Sequence, residues 1–168
     1  SKYQKLSEDF IREFQDKVDW NMISKYQKLS EDFIKEFPQI FKPSKQDNWL
    51  YADDEYKKQC IENCGLYEII DNNVIAYKSV RIDGKSVYDK TTQYEVGKTY
   101  NTKANFDLRD GYSYGFSAWT KEKALEYYSQ GKLFKVSIPI SKLASLIHKN
   151  YKIRCEEMTV LEEVEFSL

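Results

Sequence analysis

Ser113-Tyr-Gly-Phe-Ser-Ala-Trp-Thr-Lys-Glu-Lys-Ala-Leu-Glu-Tyr-Tyr-Ser-Gln-Gly-Lys-Leu-Phe-Lys-Val-Ser-Ile138 contains the changes of period that decide the fold. Residues 113–119 read as a strand, and Thr120 as an N-cap whose hydroxyl can accept from a first-turn amide. Residues 121–130 follow as a helix, with Gly131 as its stop, and residues 133–138 alternate as a strand with one face buried. Upstream, residues 74–81 read as another strand, residues 82–92 as a polar turn region holding Asp83-Gly84, and residues 94–100 as a strand interrupted at Gly97-Lys98. Downstream, residues 141–148 read as a short helix and residues 153–166 as one long strand or two with a bend. Strands that outnumber short helices predict an α+β domain over residues 65–168, built on a mostly antiparallel sheet.

The first quarter of the chain has a different character. Residues 1–14 return as residues 24–37 with one change, Arg12 to Lys35, at a period of 23 residues. Leu6, Phe10, Ile11 and Phe14 keep helical spacing, as do Leu29, Phe33, Ile34 and Phe37. Ser7 and Ser30 each precede Glu-Asp, an N-cap with acids in the positive first turn, and Asp19 can cap a helix from Trp20 to Leu29, with a second following from Glu31 to Phe37. An all-helical repeat segment over residues 1–41 is therefore expected, ended by Pro38 and Pro43, with Trp20, Phe33, Phe37 and Phe41 docking on each other and partly on the next domain. The chain opens inside the first copy on a serine, so these copies read as the tail of a longer array. Residues 42–64 complete the division as a linker and a helix over residues 53–64, Asp53 its cap and Gly65 its left-handed stop.

Composition limits the classes of function. A net charge of -1 and only four arginines among 26 basic residues give no global basic field, so direct nucleic-acid binding is not expected. No apolar run of membrane-spanning length and no signal peptide is visible, which makes the cytoplasm the expected location and excludes a membrane partner. Cys60, Cys64 and Cys155 read as buried or half-buried thiols, because with His148 as the single histidine no ligand set is complete; no metal and no cofactor is expected. His148 reads as a cationic cap at a helix end, and its pairing with Cys155 as coincidence. Glu156, Glu157, Glu162 and Glu163 read as solvated strand charges.

Five blocks in order carry a resemblance: Ala76-Tyr-Lys-Ser-Val-Arg81, Tyr94-Glu-Val-Gly-Lys-Thr-Tyr100, Gly115-Phe-Ser-Ala-Trp-Thr-Lys-Glu-Lys-Ala-Leu-Glu-Tyr-Tyr128, Leu133-Phe-Lys-Val136 and Lys152-Ile-Arg-Cys-Glu-Glu-Met-Thr-Val-Leu161. Together they resemble a domain family of bacteriophages and prophages without an agreed activity, and the front repeat resembles the helical repeats that precede such domains. Ser117 stands where that family's Gly-Leu-His block has histidine. A more distant resemblance, to ADP-ribosyltransferase-like folds, sets Arg81 at the end of a first strand and Ser117-Ala-Trp-Thr120 in the place of a serine–threonine strand. Such a site needs a glutamate pair on a late strand to stabilise a ribosyl cation. Here Lys152-Ile-Arg154 stands in that place, and a shifted Glu163-x-Glu165 moves the pair to the end of the chain.

Aromatic residues point to binding instead. Tyr and Trp offer large contact area, a polar tip and little side-chain entropy to lose. Tyr112 and Tyr114, flanked by Arg109 and by glycines at 111 and 115, read as a recognition loop, and Ser117, Trp119, Arg81 and Arg154 complete the expected binding residues. The expected protein is a phage or prophage accessory factor that binds a host protein or ribonucleoprotein complex in the cytoplasm, as counter-defence factors such as anti-CRISPR proteins do. The alternatives are an ADP-ribosyltransferase-like enzyme, and a nucleotide-signal sponge using Arg81, Arg109 and Arg154 on phosphates.

Overall fold

The structure, a computed structural model, describes residues 5–37, 40 and 44–168. The expected roles of Pro38, Phe41 and Pro43, and residues 1–4 of the first repeat copy, lie outside the described residues. The chain divides into two compact units, Ser1–Pro43 and Ser44–Leu168.

Among the described residues of the first unit, three short helices form where the caps stand. Helix α1 (Glu8–Glu13) starts at Ser7, whose side chain accepts from Phe10 N–H, and α3 (Glu31–Glu36) repeats this with Ser30 and Phe33. Between them Asp19 accepts from Asn21 and Met22 N–H and opens α2 (Trp20–Tyr26), which ends three residues short of the expected Leu29. Ile11, Ile23 and Phe33 make the buried centre, with Leu6, Val18, Trp20, Leu29 and Phe37 against it. The rings of Trp20 and Phe33 each lie 5.0 Å from that of Phe37.

The second unit is an eight-stranded antiparallel sheet with two α-helices and two short 3-10 turns, an α+β arrangement. Helix α4 (Asp54–Cys64) runs from its Asp53 cap to Gly65 at φ 68°. Then come β1 (Glu68–Ile70), β2 (Asn73–Val80), β3 (Thr99–Asn101), β4 (Phe116–Trp119), α5 (Lys121–Tyr127), β5 (Lys132–Pro139), β6 (Leu143–Ile147), β7 (Lys152–Cys155) and β8 (Glu157–Val164). The strand order is β3-β8-β5-β2-β4-β7-β6, and β1 pairs with the start of β2. Register sets Val74 opposite Ile138, Ala76 opposite Val136 and Lys78 opposite Phe134, so alternation places these side chains on one face. Tyr77 and Ser79 stand on the other, where the Ser79 hydroxyl donates to the Ala124 carbonyl of α5 at 2.6 Å.

Several expectations need correction. Residues 143–147 form a fully buried strand, not a helix. Their Leu- and Ala-rich composition favours helix locally, but pairing with β7 and burial on both faces override it. His148 is accordingly no helix cap. With Lys149 and Asn150 it occupies left-handed backbone (φ 52°, 56° and 71°) and turns β6 into β7. Helix α5 ends at Tyr127, before Gly131, which is required for another reason: a Cβ there would fall 2.0 Å from the Val80 carbonyl oxygen. Of residues 94–100 only the end joins the ladder, because Gly97 at φ 87° breaks the strand and its N–H donates to the Val160 carbonyl. The strand expected from residue 113 starts at Phe116.

The segment that reads as a linker belongs to the core. Trp49 is 2 % exposed and packs with Ile61, Val74 and Leu143, and its N–H donates to the Phe106 carbonyl. Leu108 N–H donates back to the Asp47 carbonyl, so residues 47–49 and 106–108 fasten each other. Helix α4 is held by Lys57, 4 % exposed, whose ammonium donates to the Leu143 carbonyl at 2.9 Å. Burial lowers the affinity of that ammonium for its proton.

Candidate binding surface

Strand β4 lies between β2 and β7, and this determines what surrounds the expected binding residues. Register sets Ser117 opposite Arg154 and Trp119 opposite Lys152. The two cations of the late strand therefore stand directly across from the Ser117–Trp119 segment, on its face of the sheet.

Arg154 is fully buried, which corrects its reading as a ligand-binding residue. Its guanidinium donates to three backbone carbonyls of the loop before β4: Asn105 at 2.9 Å, Asp107 at 3.4 Å and Asp110. Burial lowers its pKa, opposed by the nearby Asp110 and Asp107 carboxylates. The five donors of a guanidinium lie in a rigid fork, so one side chain can hold several turns of a loop at once. Gly115 serves the same contact. It sits at φ 126°, and a Cβ on it would meet Ala104 Cβ at 2.6 Å and Arg154 Cγ at 2.9 Å. Gly111 lies against His148 in the same manner, a Cβ there falling 2.7 Å from Cε1. The two glycines that flank Tyr112 and Tyr114 are thus places of close approach that fasten the loop.

From this fastened loop Tyr112 and Tyr114 project, 83 % and 63 % exposed. Arg109 is bound to Asp107 through two bonds of 2.9 Å, and this pairing lowers the Asp107 carboxyl pKa. Behind the loop is a row of rings. Tyr112 lies 5.1 Å from His148, His148 stacks on Trp119 at 6.2 Å and 5°, and Trp119 stacks on Tyr127 at 5.3 Å and 21°. The Lys152 ammonium sits 5.3 Å from the Tyr112 ring and 5.1 Å from Trp119, and donates to the Gly111 carbonyl at 3.1 Å. A cation over aromatic faces is attracted by their quadrupoles. His148 Nε2 is buried without a hydrogen-bond partner among the described residues.

Tyr112, Ser117, Trp119 and Arg154 are thus brought into one neighbourhood with Arg109 at its loop. Arg81 is not: it pairs with Asp83 at 3.3 Å in the turn after β2. His148, buried Lys152 and Tyr127 stand in the same neighbourhood, and sequence reasoning does not single them out. Lys152 is visible in the sequence as a cation, whereas the helix-like composition before His148 conceals its place in a turn. The shifted Glu163-x-Glu165 pair borders a different hollow, of about 630 Å³, lined by Gly131, Lys132 and residues 163–166, and Glu163 is 3.8 Å from Lys132. Among the described residues no group of three His, Cys, Asp or Glu is arranged to hold a metal ion.

The opposite face of β4 and β2 carries a perturbed lysine. Lys78 donates from its ammonium to the Ser117 carbonyl at 2.6 Å and lies 5.3 Å from the Tyr94 ring. Burial pushes its pKa down to about 8. Unfolded, with the ordinary value of 10.5, Lys78 binds more protons than the folded protein above about pH 8, so stability rises with pH there. Lys57 and Lys152, also lowered by burial, act in the same direction. The Cys155 thiol, pushed up by burial from 9 to about 12, acts oppositely once pH exceeds its ordinary value. Denaturant melts are therefore expected to show a gain from about pH 8 to about pH 9 that is smaller in Lys78→Met. An equal gain in both proteins would remove Lys78 as a titrating group.

No helix among the described residues is long and apolar enough to cross a membrane. No family model, curated protein or solved structure matches the chain.

Proposed function

We propose that the chain is a binding protein, an accessory factor of phage or prophage origin that acts in the host cytoplasm on a host protein or ribonucleoprotein complex. One observation carries this reading: Tyr112 and Tyr114 stand exposed on a loop whose carbonyls are fixed by a buried arginine. Exposed rings on an ordered loop give up little entropy on binding, and Tyr with Arg are the residues in which interface energy concentrates. The stretch Asp110-Gly-Tyr-Ser-Tyr-Gly115 also has the Tyr, Ser and Gly content in which binding loops are enriched. The first unit, read as two copies of a helical repeat, spaces or extends this binding unit.

Charge supports binding over transferase chemistry. Lys152 and Arg154 stand opposite Ser117 and Trp119, where a developing ribosyl cation would need carboxylates. The experiment is affinity capture from bacterial lysate with the wild-type chain and with Tyr112→Ala/Tyr114→Ala, then titration of the captured species. The double variant is expected to melt like wild type and to bind at least about 2 kcal/mol more weakly. Equal binding by both proteins would remove this loop as the contact. NAD turnover abolished by Arg81→Ala or Ser117→Ala would replace the binding reading with the enzyme.

A further inference from the structure

The two copies of the repeated sequence bury different sides of it. In α1 Ile11 is fully buried and Phe10 is 42 % exposed; in α3 Phe33, the equivalent of Phe10, is fully buried. Ile34, the equivalent of Ile11, is only half-buried. Polar contacts share the same asymmetry. Glu8 accepts from the N–H and hydroxyl of Ser30 at 2.6 and 3.0 Å, and the Arg12 guanidinium donates to both oxygens of Glu36 at 2.8 Å. One period earlier, Ser30 and Glu36 correspond to Ser7 and Glu13. The leading copy therefore contributes a Glu8–Ile11–Arg12 face, and the second copy a serine–phenylalanine–glutamate face.

Such a contact joins unlike faces and does not close on itself. Each copy retains the face that the other has used. On α1 these are Ser7, Phe10 and Glu13, all exposed, with the Phe14 ring 4.6 Å from Phe10.

We propose that this Ser7–Phe10–Glu13 face is a docking surface for one further repeat of the same 23-residue sequence, joined ahead of it through the same connector. The occupant would present glutamate, isoleucine and arginine at positions i, i+3 and i+4 of a helical turn, as α1 presents them to α3. The connector matters because Val18, Trp20 and Ile23, which lie between the copies, complete the apolar cluster. A second molecule offering residues 24–37 alone would not supply that part. The one difference between the copies gives the stack a direction. Lys35, in place of Arg12, lacks the two-pronged donor that grips Glu36, so the strong arginine face belongs to a leading copy. Repeats of this size bury their faces on neighbours in this manner. The inference rests on the repeat reading of the first unit and is independent of the tyrosine loop.

The test compares the full chain with one in which residues 1–23 are duplicated ahead of Ser1, each also made as Phe10→Ala and Phe33→Ala, by native-state hydrogen exchange of the helix amides. In the chain itself Phe33→Ala should lower protection about tenfold or more and Phe10→Ala by less than about threefold. With the added repeat Phe10→Ala should become as damaging as Phe33→Ala, and Glu13→Arg should become damaging too. A Phe10→Ala effect that stays small in the extended chain overturns the docking surface and leaves the repeat reading standing. Equal effects of the two substitutions in the chain itself would overturn both. Concentration-dependent association of the unextended chain, lost in Glu13→Arg, would assign the face to a second molecule and overturn the same-chain occupant.

Discussion

Arg154→Met is expected to lower the stability of the second unit by about 3 kcal/mol and to release the loop that carries Tyr112 and Tyr114. Two effects oppose one another in this substitution. Removing a buried cation recovers part of its desolvation cost. Against this, three carbonyls that accept from the guanidinium lose their donor. An unpaired buried acceptor costs about 1–3 kcal/mol, and the carbonyls of half-buried Asn105 and Asp107 bear most of this loss, while water can reach exposed Asp110. Arg154→Lys should fall between, because an ammonium keeps the charge but lacks the planar fork that spans all three acceptors. The readouts are urea melts and hydrogen exchange of the loop amides. Partner affinity should fall with loop order, since a loop that must be ordered on binding loses affinity to that entropy. A methionine variant within about 1 kcal/mol of wild type, its loop protection unchanged, would mean that Arg154 does not organise the loop.

Trp49→Ala is expected to cost about 3–5 kcal/mol, as truncation of a fully enclosed large ring does. The side chain is 2 % exposed and its neighbours Ile61, Val74 and Leu143 come from α4, β2 and β6, so the cavity would open between three elements that cannot collapse together. A tryptophan in a mere linker would give no such loss. Circular dichroism melts of the full chain report it, with Trp20→Ala as the comparison, because Trp20 packs beside Phe37 in the small cluster of the first unit. A Trp49 variant as stable as wild type would return residues 44–52 to the status of a linker.

The tyrosine loop is legible in the sequence because tyrosines, an arginine and glycines crowd into residues 109–115, and loops carry such residues on the surface. Its rigidity is not legible. Gly111 and Gly115 suggest freedom, and only their closeness to His148 and Arg154 shows the opposite role. Trp119 can be read as a binding residue, but its stacking on Tyr127 and His148 depends on α5 and on the turn after β6, which lie elsewhere in the sequence. Arg154 resembles a phosphate ligand for the same reason: charge is visible in a sequence, and burial is not.

Features settled by a few neighbouring positions needed no tertiary information. Ser7, Ser30, Asp53 and Thr120 cap helices that begin at the next residue, and alternation in β5 is visible residue by residue from Phe134 on, because a cap or a pleat is a local matter. Folding in three dimensions made the choices that local chemistry leaves open. Leu143–Ile147 became a strand because β7 pairs with it, Arg154 turned to a loop distant in the chain, and Phe10 and Phe33, alike in their sequence surroundings, took opposite exposures. Burial and pairing are properties of neighbours in space, and two near-identical segments that meet each other by different faces cannot share one environment.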